Sequence, residues 1–369
     1  MDGSIKSLGM ISCDQEDLIR SILTKQPVDL DELHKQSRVD GGFSSNDIRR
    51  LVWPKFLAVS RYTKVDFRSL AHMPGTQLRC DLDRSFHSFG HTANWSEEHF
   101  AAKKNLLSDI ITALLVRNPS LEYYQGFHSV CTVVLEVCEE DPALAFNIIE
   151  YLSCHFFKDY MGSNFDNVRL ILPLVLEILR MVDKKLSLFL STANVESFFC
   201  LSWMITWFGH DINNLDKIAR VYDALICSHP LFIMYMAVAM VLHARDEIFA
   251  LPCEFGAVHK FLISMTEEGK ELPWDKIIRN ADRLMSTLPP ARLKKFAGAA
   301  LFDKICRKEV KLFVRPPCIT RYTDSDEVLL EKFLEQEDKE AEDSRNERVE
   351  LVNNDLLLAV SSAILGLFR

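Results

Sequence analysis

Residues 230–242 read Pro-Leu-Phe-Ile-Met-Tyr-Met-Ala-Val-Ala-Met-Val-Leu, a run with no charge on any face of the helix it would form. A helix apolar all round has to be covered on every side. A membrane span needs roughly 20 such residues, so this shorter run predicts a core helix inside a sizeable body. Segments able to cover it recur along the chain. Leu106, Leu107, Ile110, Ile111, Leu114 and Leu115 repeat with helical period until Asn118-Pro119, where the proline stops the helix. Similar patterns occupy 143–157, 168–182, 195–208, 215–227, 257–265, 274–285 and 291–306. Few stretches alternate with period two, so the expected class is all-α, a multi-helix domain.

The segment 1–40 is polar and mixed, with a short amphipathic helix expected over 14–25. Gly41-Gly42 marks a turn, and Ser44-Ser45-Asn46-Asp47 offers N-caps for a helix carrying Ile48, Leu51, Val52 and Phe56. The helical domain is therefore expected over 41–320. Beyond Pro316-Pro317 the composition changes: 321–354 is dominated by charge, too poor in apolar residues to offset its ordering entropy, and 355–369 is an apolar tail. As a helix that tail reaches roughly 20 Å, short of the ~30 Å hydrocarbon core. Three readings stay open for it: a partial membrane anchor, a docked helix and a processing remnant.

The formal charge of −9 comes without any basic block, which argues against nucleic acid as a partner. Ten cysteines run from Cys13 to Cys318 with no Cys-x-x-Cys pair, and no apolar leader opens the chain, so a reducing cytosolic face is expected. No Gly-rich phosphate loop followed by Lys-Ser/Thr is present, so the chain is not expected to bind a nucleoside triphosphate by itself. His87, His91 and His99 lie close in sequence but lack the cysteine or carboxylate spacing of a metal cage. Cys131 near His128 invites a hydrolase reading, but no nucleophile turn surrounds it, and the helical pattern makes Cys131 a core thiol.

Two polar residues interrupt otherwise apolar surroundings. Asp81-Leu82-Asp83-Arg84 places Asp81 and Arg84 at i and i+3, on one helical face, where the carboxylate can orient the guanidinium or simply form a surface ion pair. Tyr123-Tyr124-Gln125-Gly126 follows a helix stop and precedes a second apolar run; Gly126 permits a sharp turn, and Gln125 reads either as a presented amide or as a cap. Arg84 is a planar permanent cation suited to phosphate oxygens, and Gln125 can both donate to and accept from a water. Together they suit nucleotide hydrolysis.

These motifs resemble those of the TBC domain of Rab GTPase-activating proteins. That family opens on Arg-x-x-x-Trp, matched by Arg49 to Trp53; carries Ile/Val-x-x-Asp-x-x-Arg, matched by Leu78 to Arg84 with leucine at the first place; and carries Tyr-x-Gln, matched by Tyr123 to Gln125. Trp203 to Phe208 and Arg220 to Asp223 resemble later signatures, so the resemblance covers 41–262. It implies a GTPase-activating protein for a Rab-family small GTPase, with Arg84 and Gln125 as fingers supplied in trans. Asp81, Tyr123, Arg49 and Trp53 are implied in support, and GTP and Mg²⁺ are carried by the partner. Ile205 to His210 and the apolar tail look most like a membrane-anchored member of the early secretory pathway, which implies the cytoplasmic face of the endoplasmic reticulum and Golgi. A non-catalytic Rab-binding scaffold, or a tethered helical interaction module, is the alternative.

Overall fold

The computed structural model describes residues 14–60, 65–87, 89–139, 141–267, 270–290 and 292–293. Every regular element among them is helical, as the periodicity predicts. In chain order these are α1 (14–23), α2 (Leu30–Gln36), α3 (Asn46–Phe56), α4 (Phe67–Leu70), α5 (Thr76–Arg84), α6 (Glu97–Arg117), α7 (Phe127–Val137), α8 (Pro142–His155) and α9 (Asp166–Ile171). There follow α10 (Leu174–Val182), α11 (Lys184–Thr192), α12 (Leu201–Ile205), α13 (Leu215–Ile226), α14 (Phe232–His243), α15 (Arg245–Phe249), α16 (Phe255–Ile263) and α17 (Trp274–Thr287). The charged segment and apolar tail expected at 321–354 and 355–369, and most of the helix expected at 291–306, lie outside the described residues.

The apolar run from Phe232 is α14, and every residue from Phe232 to Val241 is buried. α17, α10 and α12 pack around it. Its one hydroxyl, on Tyr235, donates to Leu288 O at 2.7 Å, which compensates the desolvation of that polar group. α17 suits this position because Ile277, Ile278 and Ala281 form its buried face.

Two expected long helices are each broken, for local reasons. The 168–182 pattern splits at Leu172-Pro173, since a proline cannot donate to the preceding turn, giving α9 and α10. The 195–208 pattern becomes a 3-10 turn, Ser197–Cys200, followed by the short α12. The chain then passes Trp207 and Phe208 in the left-handed region, at φ +48° and +62°. The elements α2, α4, α5, α11 and α15 answer to no apolar pattern singled out in the sequence.

Residues 14–40, expected to precede the domain, pack onto it. Ile19 and Ile22 of α1 and Leu33 of α2 are buried, and Gln15 Nε2 donates to Gly42 O at 2.7 Å. Arg38 reaches Asp282 at 2.9 Å and Ser228 Oγ at 2.5 Å, and its guanidinium lies over the Phe232 ring. The Arg38 partners Asp282 and Ser228 lie far along the chain, where no local pattern links them to this segment.

Candidate functional site

The C-terminal turn of α5 and the turn between α6 and α7 come together at Asp81. α6 ends at Asn118, whose amide donates to Leu114 O at 3.0 Å and Glu150 Oε1 at 3.1 Å, so the stop expected from Asn118-Pro119 is made by the side chain as well. The turn that follows is pinned at two points. Glu122 N donates to Met161 O at 2.8 Å, and the buried Tyr124 hydroxyl donates to Ile205 O at 2.6 Å. Gln125 is held between these anchors and Gly126.

Gly126 starts α7 at φ +100°, a conformation open to glycine and strained for other residues. This left-handed step points its N–H at Asp81 Oδ2, 3.3 Å away. The Gln125 side chain is half-buried and makes no hydrogen bond with any described residue, so it caps nothing. Its amide is left to serve a partner or a water.

Asp81 is fully buried, and each of its oxygens has donors. Arg84 Nη2 donates to Oδ1 at 2.5 Å, the i, i+3 geometry expected on a helix. Tyr123 Oη donates to Oδ2 at 2.5 Å, beside the Gly126 N–H. One carboxylate therefore joins the arginine on one element to the glutamine turn on another. The Arg84 side chain is 41% exposed, which places a charge with a buried anchor at the surface.

His128, in the first turn of α7, completes the cluster. Its Nδ1 lies 3.3 Å from Asp81 Oδ2 and 3.3 Å from Tyr123 Oη, and its Nε2 lies 3.4 Å from Ser129 Oγ. Burial lowers the pKa of His128 against the opposing pull of Asp81, which makes it a neutral imidazole at pH 7. The hydrogen-bond pattern assigns its proton to Nδ1, leaving Nε2 to accept from Ser129. Burial also pushes the Asp81 carboxyl up, but its hydrogen bonds with His128, Tyr123 and Arg84 outweigh that and hold it well below the usual carboxylate range. Asp81 is thus ionised and oriented at any physiological pH. The Tyr123 hydroxyl is pushed well up, by burial and then by the Asp81 charge, and stays a donor.

Arg49 and Trp53 belong to a second assembly and share no hydrogen bond with the first. Arg49 Nε meets Asp223 Oδ1 at 3.0 Å and its Nη2 meets Oδ2 at 3.1 Å, while Trp53 Nε1 donates to Oδ1 at 2.9 Å. Phe43 N adds a bond to Oδ2 at 3.1 Å. Arg220, one turn before Asp223, continues the network to Asp275 at 2.8 Å and to Ser37 O at 3.0 Å. Of the residues expected to support the site, Asp81 and Tyr123 touch it, whereas Arg49 and Trp53 clamp α3 to α13.

The remaining histidine candidates have structural partners. His91 Nε2 lies 2.8 Å from Glu136 Oε2, the other oxygen of that carboxylate, Oε1, accepts from Lys103 at 3.0 Å, and His91 and His99 both meet the Trp95 ring edge-on. His87 stacks on Phe100. Among the described residues no group of three His, Cys, Asp or Glu is placed to hold a metal ion. Cys131 is fully buried with its thiol pushed well up by desolvation, an inert core group. An open groove of about 410 Å³ between α14 and α17, lined among others by Leu242, His243, Lys276 and Arg283, shares no residue with the Asp81 assembly.

His128 and the Gly126 N–H were not singled out in the sequence as members of the site. The signal for His128 was present, because it is a polar residue at the start of an apolar run and stands three residues after Gln125.

Comparison with known proteins bears on this geometry. The Rab-GTPase-TBC domain model matches residues 46–249. The chain is 33% identical over 285 residues to TBC1 domain family member 20 of Homo sapiens, covering 76% of this chain and 69% of that one. It is 26% identical to GTPase-activating protein gyp10 of Schizosaccharomyces pombe, over 71% and 70% of the two chains. Its fold is similar to the crystal structure of the Ypt/Rab-GAP domain of Gyp1p, with a TM-score of 0.59 at 13% identity over 75% of this chain and 98% of that one.

Proposed function

The chain belongs to the Rab-GTPase-TBC domain family, and from that premise we propose that Arg84 and Gln125 are the pair it presents to a GTP-loaded Rab. In phosphoryl transfer to water the transition state spreads charge over the γ-phosphoryl oxygens, and catalysis consists of positioning and charge stabilisation. Mg²⁺ and the phosphate-binding loop belong to the partner GTPase. Arg84 brings to that charge a cation whose direction is set by a buried carboxylate. Gln125 brings an amide that can accept from the attacking water and donate to the phosphoryl side. Asp81 and Tyr123 act through these two, Asp81 by orienting Arg84 and Tyr123 by holding Asp81 from the glutamine turn. Arg49 and Trp53 serve the fold.

The observation that carries this reading is the double use of Asp81, whose two oxygens tie Arg84 and the Gly126 N–H to one rigid point. Placing two groups on one anchor reduces the motion that has to be frozen when a substrate binds. The test is single-turnover GTP hydrolysis across a panel of purified Rabs with the 369-residue chain and with Arg84→Ala and Gln125→Ala. Acceleration on particular Rabs, abolished by either change, is the expected result and names the substrate. Tight binding without acceleration would assign the chain to the non-catalytic scaffolds instead.

The early secretory pathway is the setting we propose, with attachment through 355–369, on the resemblance of 205–210 and the apolar tail. Among the described residues no single helix is long and apolar enough to cross a membrane. The chain ending at Val352 is expected in the soluble fraction and the full chain in the membrane fraction. Equal partition of both would remove the tail from the proposal.

A further inference from the structure

His128 is nine-tenths or more buried at the first turn of α7, in a helix whose neighbouring Phe127, Val130 and Cys131 are packing groups. Desolvating two ring nitrogens is unfavourable unless they are bonded, and here both face partners: Asp81 and Tyr123 on Nδ1, Ser129 on Nε2. The Asp81 carboxylate is the piece whose rotation would disturb the site. It holds Arg84 through Oδ1 and the glutamine turn through Oδ2, so a tilt of its plane would move the first and release the second.

We propose that His128 is a positioning residue for GTP hydrolysis: by bracing Asp81 Oδ2 it fixes the carboxylate plane that aims Arg84 and seats the turn bearing Gln125. The inference rests on the reading of Arg84 and Gln125 given above. The groups facing the imidazole are Asp81 and Arg84 from α5, Tyr123 from the preceding turn, and His210 from the turn after α12. Gly209 permits that last approach, since a Cβ there would stand 3.1 Å from Ser129 O. Among the four facing groups, Arg84 is a permanent cation. A protonated His128 would add a second positive charge beside that cation and turn Nε2 from an acceptor into a donor against Ser129 Oγ, so the arrangement as it stands requires the neutral ring.

The experiment uses the full chain and a Rab whose hydrolysis the wild type accelerates, comparing wild type, His128→Ala and His128→Asn from about pH 5.5 to 8, alongside thermal melts. His128→Ala is expected to lower the accelerated rate by about 10- to 100-fold, the scale of a slight misplacement of reacting groups. His128→Asn places an amide nitrogen near the position of Nδ1 and does not titrate, so it is expected to restore most of the rate. It should also remove the loss that the wild type shows on the acid side. A merely structural histidine would change neither the acid limb nor the rank of asparagine above alanine at equal folded fraction. An unaltered rate in His128→Ala, or an identical acid limb in wild type and His128→Asn, overturns the inference. If His128→Ala does not fold, the His128→Asn profile still decides. A wild type that accelerates no Rab overturns the reading of Arg84 and Gln125 first, and the inference with it.

Discussion

Asp81 and Asp223 are both fully buried carboxylates, and each is held by an arginine, an aromatic donor and a backbone N–H at or beside a left-handed glycine. Gly126 plays that part for Asp81 and Gly42 for Asp223, at φ +100° and +62°. The difference lies in the arginine, 3% exposed for Arg49 and 41% for Arg84. Around Asp223 the charges meet one another inside the protein, with Arg220 extending the network to Asp275 and to the backbone of Ser37 and Val39. Around Asp81 the carboxylate is as deeply enclosed, but the cation it directs reaches solvent. The same donors make a scaffold in one place and a candidate site in the other, and exposure of a single guanidinium separates them.

The sharpest way to break this comparison is to remove each arginine's function in turn. Arg84→Ala is expected to reduce accelerated hydrolysis by about 10³- to 10⁵-fold, as removal of an arginine finger does, while costing less stability in a denaturant titration than Asp223→Ala, because water can reach the place of the half-exposed guanidinium. A large loss of stability instead would put Asp81 and Asp223 in the same class. Asp223→Ala should do the opposite. It orphans the buried Arg49 and is expected to cost about 3–5 kcal/mol in a denaturant titration, with the rate per folded molecule retained.

The two glycines sharpen the contrast at smaller scale. In Gly42→Ala the new Cβ would stand 2.7 Å from Arg220 Cδ and from Asp223 Oδ2 at a strained φ, so stability is expected to fall by about 1–3 kcal/mol. Gly126→Ala is expected to cost about 1–2 kcal/mol and to lower the rate as well, because its strain falls on the turn that carries Gln125. Melts and single-turnover rates on both variants would show whether strain at Gly126 is felt in chemistry.

The mildest effect is a pH slope that the Asp81 assembly has through His128. Burial lowers the folded pKa of His128, so below its ordinary value near 6.5 the unfolded chain binds a proton that the folded chain does not. Stability then falls as pH drops from about 6.5 toward the folded pKa and is fully present above that window. His128→Asn should flatten this part of a stability–pH curve.

Much of this arrangement was legible residue by residue. The Asp81–Arg84 pair follows from i, i+3 spacing, the turn at Gly126 from its glycine, and the burial of α14 from the lack of charge on any face. The break at Pro173 was also readable, and the apolar periodicity on either side of it masked the proline. The partners of Arg49 and Trp53 were not readable, because Asp223 lies 174 residues beyond Arg49 and no local pattern links them.

The amino-acid sequence by itself determined the helical class, the core helix, and the identity of Arg84 and Gln125 as polar groups out of place. Those properties depend on periodicity and on residue chemistry, which are local. Only the tertiary structure decided that one buried carboxylate meets both Arg84 and the turn bearing Gln125, that His128 stands beside its far oxygen, and that Arg49 faces inward while Arg84 faces out. Those depend on which surfaces long-range packing takes away from water, and burial is a property of the folded neighbourhood that no single segment carries.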